Sequence, residues 1–413
     1  MKVALSHPTG NQNVREVMLA FLEAGVLAEF GTTIAVDSRE LWLKLLPTRM
    51  RQEWLRRAYT IPVGQLWTHP LWELARILLP QVGLSSYTRH EKGWASIDAV
   101  YQNFDHAAAQ RLSFQQKKFV VDTVYAYEDG ALATFEQAKK LGMRRIYDLP
   151  IAYWEIGRKL LLEEAERLPG WAITLTGIQD SPEKLERKVR ELELADAVVV
   201  PSAFVKESLP TWACSKPAII VPFGSPSVHP LILRDKKSNA HSPLRVLFVG
   251  SMGQRKGLGD LLAAVRYLNS PNLELVVLGS PLAPLEFYRQ ELPSFIYESG
   301  RPHDQVLALM RSCDVFCLPS IVEGRALVMQ EAMSQGLPLI ITPNTGGEDL
   351  IEEGRTGFLV PIRSPHAIAE KLTWFLENRD KLPEMRRLSR AHAATYTWKN
   401  YGANILTALH KIN

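Results

Sequence analysis

Along the chain, short and largely apolar runs alternate with longer stretches whose apolar positions recur at helical spacing. Lys2–Ser6, Phe119–Ala126, Arg145–Leu149, Leu194–Pro201 and Ala218–Val221 are runs of the first kind. So are Leu244–Gly250, Leu273–Gly279, Ile296–Gly300, Val315–Leu318, Leu337–Thr342 and Gly357–Pro361. A run without polar alternation predicts a strand covered on both faces, as in a parallel sheet. Asn13–Ala24, Ala131–Leu141, Leu258–Leu268 and Ala326–Gln335 predict helices, three of them closed by Gly25, Gly142 and Gly336. Ser202 and Ser364 stand where helix N-caps belong, and Pro365 fits a first turn. Strand and helix alternate in both halves, which predicts an α/β protein of two doubly wound, Rossmann-like domains facing a central cleft. Ser225–Pro243, rich in Ser, Pro, Lys and His, reads as a linker. The expected division is a first domain at 1–225, a linker at 226–243, a second domain at 244–390 and a terminal segment at 391–413.

In such sheets ligands bind in the loops beyond the carboxyl ends of the strands, where helix N-termini can hold anions. Three loops carry candidate chemistry. After Val315–Leu318 comes Pro319-Ser320, then Glu323-Gly324, with Glu331 about two turns into the following helix. A loop carboxylate such as Glu323 can hydrogen-bond ligand hydroxyls, and Glu331 facing the same crevice can hold a diol such as ribose. The amides of Gly324, Arg325 and Ala326 at the helix start would face phosphate oxygens. Two glutamates at this spacing also suit a solvated helix, so spacing alone leaves both readings open. The second loop is Ser251–Gly257, glycine-bounded and basic, where Lys256 and Arg255 could neutralise a diphosphate or lie solvated at the surface. The third is His7–Asn11, a glycine loop before a helix that is neither a dinucleotide fingerprint nor a P-loop. His7 fits a functional base or a loop residue.

Pro-Ser-x-x-Glu-Gly followed by Glu331-Ala332-Met333-x-x-Gly336-x-Pro338 resembles the family-4 retaining glycosyltransferases of GT-B fold. The resemblance covers Leu244 to about Trp398 well and the first half in outline. It implies that Glu323 contacts the donor sugar and Glu331 the nucleotide ribose. The Gly-x5-Lys-Gly spacing from Gly250 to Gly257 resembles the phosphate loop of that family, which implies catalytic roles for Lys256 and Arg255. Ser251, Gly300, Arg301, Gly324, Arg325, Ala326 and Leu327 become donor-binding candidates, and Gly10 a place where the donor phosphate or acceptor approaches. It also implies that the final helices, with Trp398 and Tyr401, cross back onto the first domain.

The chain departs from the family pattern in four places. Gly10-Asn11 replaces paired glycines, Ser251 replaces an arginine, and Tyr147-Asp148-Leu149-Pro150 lacks a histidine that meets the donor sugar. Glu323-Gly324-Arg325-Ala326 replaces Glu-Gly-Phe-Gly, so Arg325 is expected to supply part of the missing phosphate charge, to bind an acidic group, or to face solvent. His7, Asn11, Tyr127, Glu128 and Asp148 are the polar residues expected at an acceptor or sugar pocket, each with an alternative as a cap or turn residue. Thr345, Gly346 and Gly347 either line that pocket or make a turn.

The implied activity is retaining transfer of a sugar from a nucleoside-diphosphate sugar to a hydroxyl acceptor, a glycan or lipid among others. The alternatives are a non-catalytic sugar-nucleotide-binding protein and a sugar-nucleotide epimerase on the same fold; a phosphorylase is disfavoured for want of a pyridoxal lysine motif. No cofactor is expected, and no metal, because the chain supplies the positive charge and has no Asp-x-Asp motif.

Composition narrows the partners. With 413 residues, two domains are expected, and a net charge of +4 fits a small anionic ligand better than nucleic acid. Cys214, Cys313 and Cys317 suit buried thiols in a reducing compartment. No signal peptide precedes the first strand and no run of ~18 apolar residues occurs, so a cytoplasmic protein is expected. Residues 39–84 combine arginines and lysines (Arg39, Lys44, Arg49, Arg51, Arg56, Arg57) with Trp42, Trp54, Trp67 and Trp72. That composition suits the surface of an anionic membrane or a helical insertion packed on the domain.

Overall fold

The structure is a computed structural model that describes residues 1–37, 40–45, 51, 54–115, 121–226 and 242–412. Its first sheet is seven-stranded and parallel, in the order β3-β2-β1-β4-β5-β6-β7. The strands are β1 Val3–Ser6, β2 Leu27–Thr32, β3 Leu66–Thr68, β4 Thr123–Tyr127, β5 Arg144–Asp148, β6 Ala197–Val200 and β7 Ala218–Ile220. The second sheet has six parallel strands in the order β10-β9-β8-β11-β12-β13. Here β8 is Leu244–Val249, β9 Leu273–Leu278, β10 Ile296–Glu298, β11 Val315–Leu318, β12 Leu339–Ile341 and β13 Gly357–Leu359. Both orders reverse beside the first strand of their half, so each domain has a switch point where its ligand loops gather.

The burial of β1, β4, β6, β11 and β12 is continuous, as their uninterrupted apolar runs require. Of the elements anticipated, helix Leu258–Leu268 has the same bounds, and Gln12–Glu23 and Leu327–Ser334 differ by a residue. Strand β2 and the helices Ile97–Gln115, Trp154–Arg167 and Pro182–Leu194 were not anticipated. Residues 227–241 of the expected linker lie outside the described residues, as do Arg39 and Arg49.

Two segments cross between the halves. Helix Trp398–Lys411 buries Tyr401, Ile405 and Leu409 in the first-domain core, and Gly402 lets it approach Ala20, 2.6 Å from where a β-carbon would sit. In the opposite direction, Trp171 leaves the first half of the chain and joins the core of the second domain, edge-on to Phe287 and Tyr288. Arg167 pairs there with Asp260, and Glu164 with Arg363.

The basic segment packs inward for the most part. Trp67 stacks on Phe104 with centroids 5.1 Å apart, Trp72 lies 4.7 Å from Trp94, and Trp54 packs against a cluster of Ile34, Val36 and Leu43. The described apolar residues of this segment left in water are aliphatic, Leu41, Leu45, Val63, Leu71, Leu78, Val82 and Leu84, while Trp94, the partner of Trp72, is itself about half exposed.

Candidate active site

Three loops of the second sheet are hydrogen-bonded in a row. Ile321 N donates to Arg255 O at 2.9 Å, joining the loop after β11 to the loop after β8. Glu323 N donates to Asn344 O at 3.1 Å, and Asn344 Nδ2 to Ile321 O at 2.9 Å, joining it to the loop after β12. Gly257 makes the first junction possible: its φ is +71°, and a β-carbon there would sit 2.0 Å from Pro319 O.

At this junction the Glu323 carboxylate receives two cations. Its Oε1 is 2.5 Å from both Arg255 Nη1 and Lys256 Nζ. Glu323 is 8% exposed, so the cluster has a net charge of about +1 in a place with little water to screen it. Burial lowers the Lys256 pKa first of all and the neighbouring Arg255 acts in the same direction, whereas Glu323 opposes both. The Lys256 stem lies along Gly250, where a β-carbon would meet Cε at 3.4 Å.

Glu331 lies on the helix that follows the Glu323 loop, Leu327–Ser334, and takes a different partner, His303 Nε2 at 3.1 Å, which raises the His303 pKa. Together with Leu327 they line a cavity of about 580 Å³, closed on the other side by Gln12, Gly224, Pro226 and Trp398. A carboxylate, an imidazole and an amide thus face one cleft between the halves. Neither His303 nor Gln12 carries a sequence motif, so only the fold brings them to Glu331.

Several expected site residues have other work. Arg325 is a correction: its side chain is fully buried and gives two bonds to Asp349, at 2.6 and 3.1 Å, and one each to Gln330 and Gly346 O. Tyr396 covers the guanidinium at 5.0 Å, so this charge balances Asp349 rather than a phosphate. The Ala326 amide donates to Thr345 O at 3.3 Å and is not aimed at a ligand. Gly10 is covered by Tyr59, whose hydroxyl would lie 1.8 Å from a β-carbon on it, and its amide donates to His7 Nδ1 at 2.8 Å. His7 Nδ1 also accepts from Thr9 N, and burial lowers its pKa to about 3. Its Nδ1 lone pair is taken by loop amides, which fits the reading of His7 as a loop residue rather than a base.

Asp148 is buried beneath the sheet edge and accepts from Tyr125 OH at 2.6 Å, and burial raises it to about 7. It belongs to the core rather than to a pocket. Gly346 makes the turn, its φ at +70°, and a β-carbon on it would sit 1.8 Å from Gly324 O. Arg301 turns to Glu298, while Gly300 is exposed and Ser251 half-buried. Asn11 lines a separate cleft with Thr9, Arg15 and Arg56. Tyr127 and Glu128 stand at the carboxyl edge of β4, both shielded from water.

The first domain meets this junction directly. Ser202 Oγ donates to Gly324 O at 2.6 Å, and a β-carbon on Gly324 would sit 1.7 Å from Pro150 O. Among the described residues one group, His90, Glu91 and Asp180, has the ligand atoms for a metal. It belongs to the first half of the chain, where Asp180 also pairs with Lys184 at 3.0 Å, and none of its members contacts the Glu323 cluster.

Two parallel-sheet domains with their ligand loops meeting at a cleft are the GT-B class of fold. Residues 232–392 match the family described as glycosyl transferases group 1. D-inositol 3-phosphate glycosyltransferase of Corynebacterium glutamicum is 27% identical over 314 residues, 67% of this chain and 74% of that one. The putative colanic acid biosynthesis glycosyltransferase WcaL of Salmonella typhimurium is 30% identical over 146 residues, 32% of this chain and 36% of its own length. Among solved structures, sucrose-phosphate synthase from Thermosynechococcus elongatus superposes with a TM-score of 0.63 at 17% identity, covering 100% and 99% of the two chains. Anabaena HepE in complex with UDP does so with 0.61 at 14% identity, covering 100% of both. The chain thus has the GT-B fold of these structures, and its second domain is built on the group 1 glycosyltransferase pattern.

Proposed function

We propose that the protein is a retaining, metal-independent transferase of the family-4 kind, moving a sugar from a nucleoside-diphosphate sugar to a hydroxyl acceptor. The observation that carries the reading is the Glu323 carboxylate held between Lys256 and Arg255 at the cleft. Negative charge grows on the leaving diphosphate as the sugar C–O bond breaks. Fixed cations in a dry site stabilise that change more than they stabilise the ground state. A bound diphosphate would draw the two cations off Glu323 and release its oxygen for a sugar hydroxyl. Glu331, beside His303, suits the ribose diol. The acceptor hydroxyl enters on the face the diphosphate leaves, its oxygen bonding to the sugar carbon as its proton passes to the departing phosphate oxygen.

The names of similar proteins support this reading: one acts on inositol 3-phosphate, and HepE has been solved with UDP and with UDP-glucose. A peripheral contact with the inner face of a membrane, and a lipid-linked or glycan acceptor, fit the exposed aliphatic side chains of Leu41, Leu45, Val63, Leu71 and Val82 in a stretch that also carries Lys44. No described helix is long and apolar enough to cross a membrane.

The test is a panel of labelled nucleoside-diphosphate sugars offered in excess chelator, with the product anomer read by NMR. Transfer with the donor's anomeric configuration is expected. An inverted product, or activity lost to chelator and restored by magnesium or manganese, would refute the scheme.

A further inference from the structure

The loop after β8 serves two sets of partners. Arg255 and Lys256 hold Glu323, while Gln254, one residue earlier, is fully buried among other groups. Its side chain is bonded at both ends. Nε2 donates to Glu164 Oε2 and to Asp260 Oδ2, each at 2.9 Å, and Oε1 accepts from Gly259 N at 3.0 Å. Its backbone N donates to Thr174 Oγ1 at 3.0 Å. Glu164 and Thr174 come from the first half of the chain. Glu164 is itself wholly buried, held by Arg167 at 2.7 Å and by Arg363, and Arg167 closes the group by pairing with Asp260 at 2.8 Å. Trp171 packs over the same turn, 2.9 Å from where a β-carbon on Gly259 would sit.

We propose that Gln254 and Glu164 are positioning residues, which hold from the first half of the chain the turn that aims Lys256 and Arg255 at the leaving diphosphate. The inference deepens the transfer reading and rests on it. The turn Gln254–Lys256 is three residues long, so a shift of Gln254 passes to both cations. Only an amide satisfies all the neighbours at 254. A carboxylate there would face Glu164 and Asp260 at bonding distance and be repelled by both. A hydrocarbon would leave the Gly259 amide without its acceptor and the two carboxylates short of a donor. The Glu323 carboxylate is held by Arg255 and Lys256, so Gln254 and Glu164 act on the site through those two.

The backbone of the turn is fixed as well. Lys256 N donates to Gly253 O at 3.1 Å, Gly257 N to Gln254 O at 2.8 Å, and Ile321 N to Arg255 O at 2.9 Å. Charge fixed in advance needs no rearrangement as the bond breaks, and a displacement of about 1 Å can cost about 10²-fold in rate. Around the neutral amide, Glu164 and Asp260 balance Arg167 and Arg363. Replacing Gln254 by methionine therefore leaves the ion pairs in place and frees only the turn.

The test is a double-variant cycle on the full chain, read as nucleoside-diphosphate release from UDP-glucose, UDP-N-acetylglucosamine or GDP-mannose with a membrane extract as acceptor source. Gln254→Met should lower kcat about tenfold or more, with the donor KM changed less than about threefold. Added to Lys256→Ala, it should cost less than about threefold further, because it acts chiefly through the cation already removed. Glu164→Gln keeps the shape of its side chain and should show the same pattern. It carries the test alone if Gln254→Met melts before it can be assayed. Wild-type kcat in the folded single variants would overturn the assignment. So would losses that multiply in the double variants, the mark of a merely structural effect. If Lys256→Ala itself turns over like the wild type, or the wild type releases no nucleoside diphosphate, the transfer reading falls, and the positioning with it.

Discussion

Asp148 shows how far burial can move a single residue from its apparent role. Its carboxyl, raised to about 7 by burial, is hydrogen-bonded to Tyr125 in the core. Between its ordinary value and about 7 the folded protein keeps a proton that the unfolded chain releases. Stability therefore falls as pH rises through that window, and the loss is complete above it. Asp148→Asn cannot ionise and retains an acceptor for Tyr125. Relative to wild type it should gain stability between about pH 5 and about pH 8, read by urea unfolding at each pH. A difference that does not change with pH would show that Asp148 is ionised when folded. Arg325 carries the same lesson from the other side. The sequence places it at a helix start beside a phosphate pocket, but its partner Asp349 lies 24 residues on and carries no motif. Pairings of that kind are set by tertiary packing, which a single sequence does not display.

At the scale of elements, the legible parts are those where one signal dominates. Helix Leu258–Leu268 begins after an obligate glycine and ends at Asn269 in the left-handed conformation, and both punctuation marks stand in the sequence. Strand β2, Leu-Ala-Glu-Phe-Gly-Thr, was missed because Glu29 and Gly31 interrupt its apolar run. Glu29 is buried there with Arg111 at 2.7 Å, and Gly31 gives room to Trp67. Both exceptions are explained by distant residues. The loop after β8 depends on a local rule that is easier to test. Gly257→Ala places a side chain at φ +71° and 2.0 Å from Pro319 O, forcing the loops after β8 and β11 apart. It should lower stability by more than about 1 kcal/mol and weaken nucleoside-diphosphate binding together. Wild-type melting and binding in this variant would mean that the two loops are not coupled.

For the whole molecule, the motifs in the second half made the fold legible, while the crossings between halves were only partly so. Trp171 and Glu164 sit in a stretch without strand or motif signals, yet they dock on the second domain beside the loop after β8. Glu164 accepts from Gln254 Nε2 at 2.9 Å, next in the chain to Arg255. The basic, tryptophan-rich segment was legible in composition but not in direction, since Trp54 and Trp67 pack on the domain, Trp72 pairs with the exposed Trp94, and the segment's own exposed apolar residues are aliphatic. If this face meets an anionic membrane, flotation with anionic liposomes at low salt should fall in Leu41→Ser with Leu45→Ser, and fall in high salt as the lysine and arginines are screened. A wild type that never floats at low salt would identify the segment as a packed insertion alone.

The central claim is that the Lys256 charge serves the leaving diphosphate. Removing it leaves the Arg255–Glu323 pair in place, so the fold should survive. The deciding measurement is the turnover of Lys256→Ala at saturating donor in excess chelator, alongside its melting temperature. A fall of roughly 10² or more with melting little changed is the predicted result, since the lost interaction is strongest in the transition state. Turnover close to wild type in the folded variant would contradict the account.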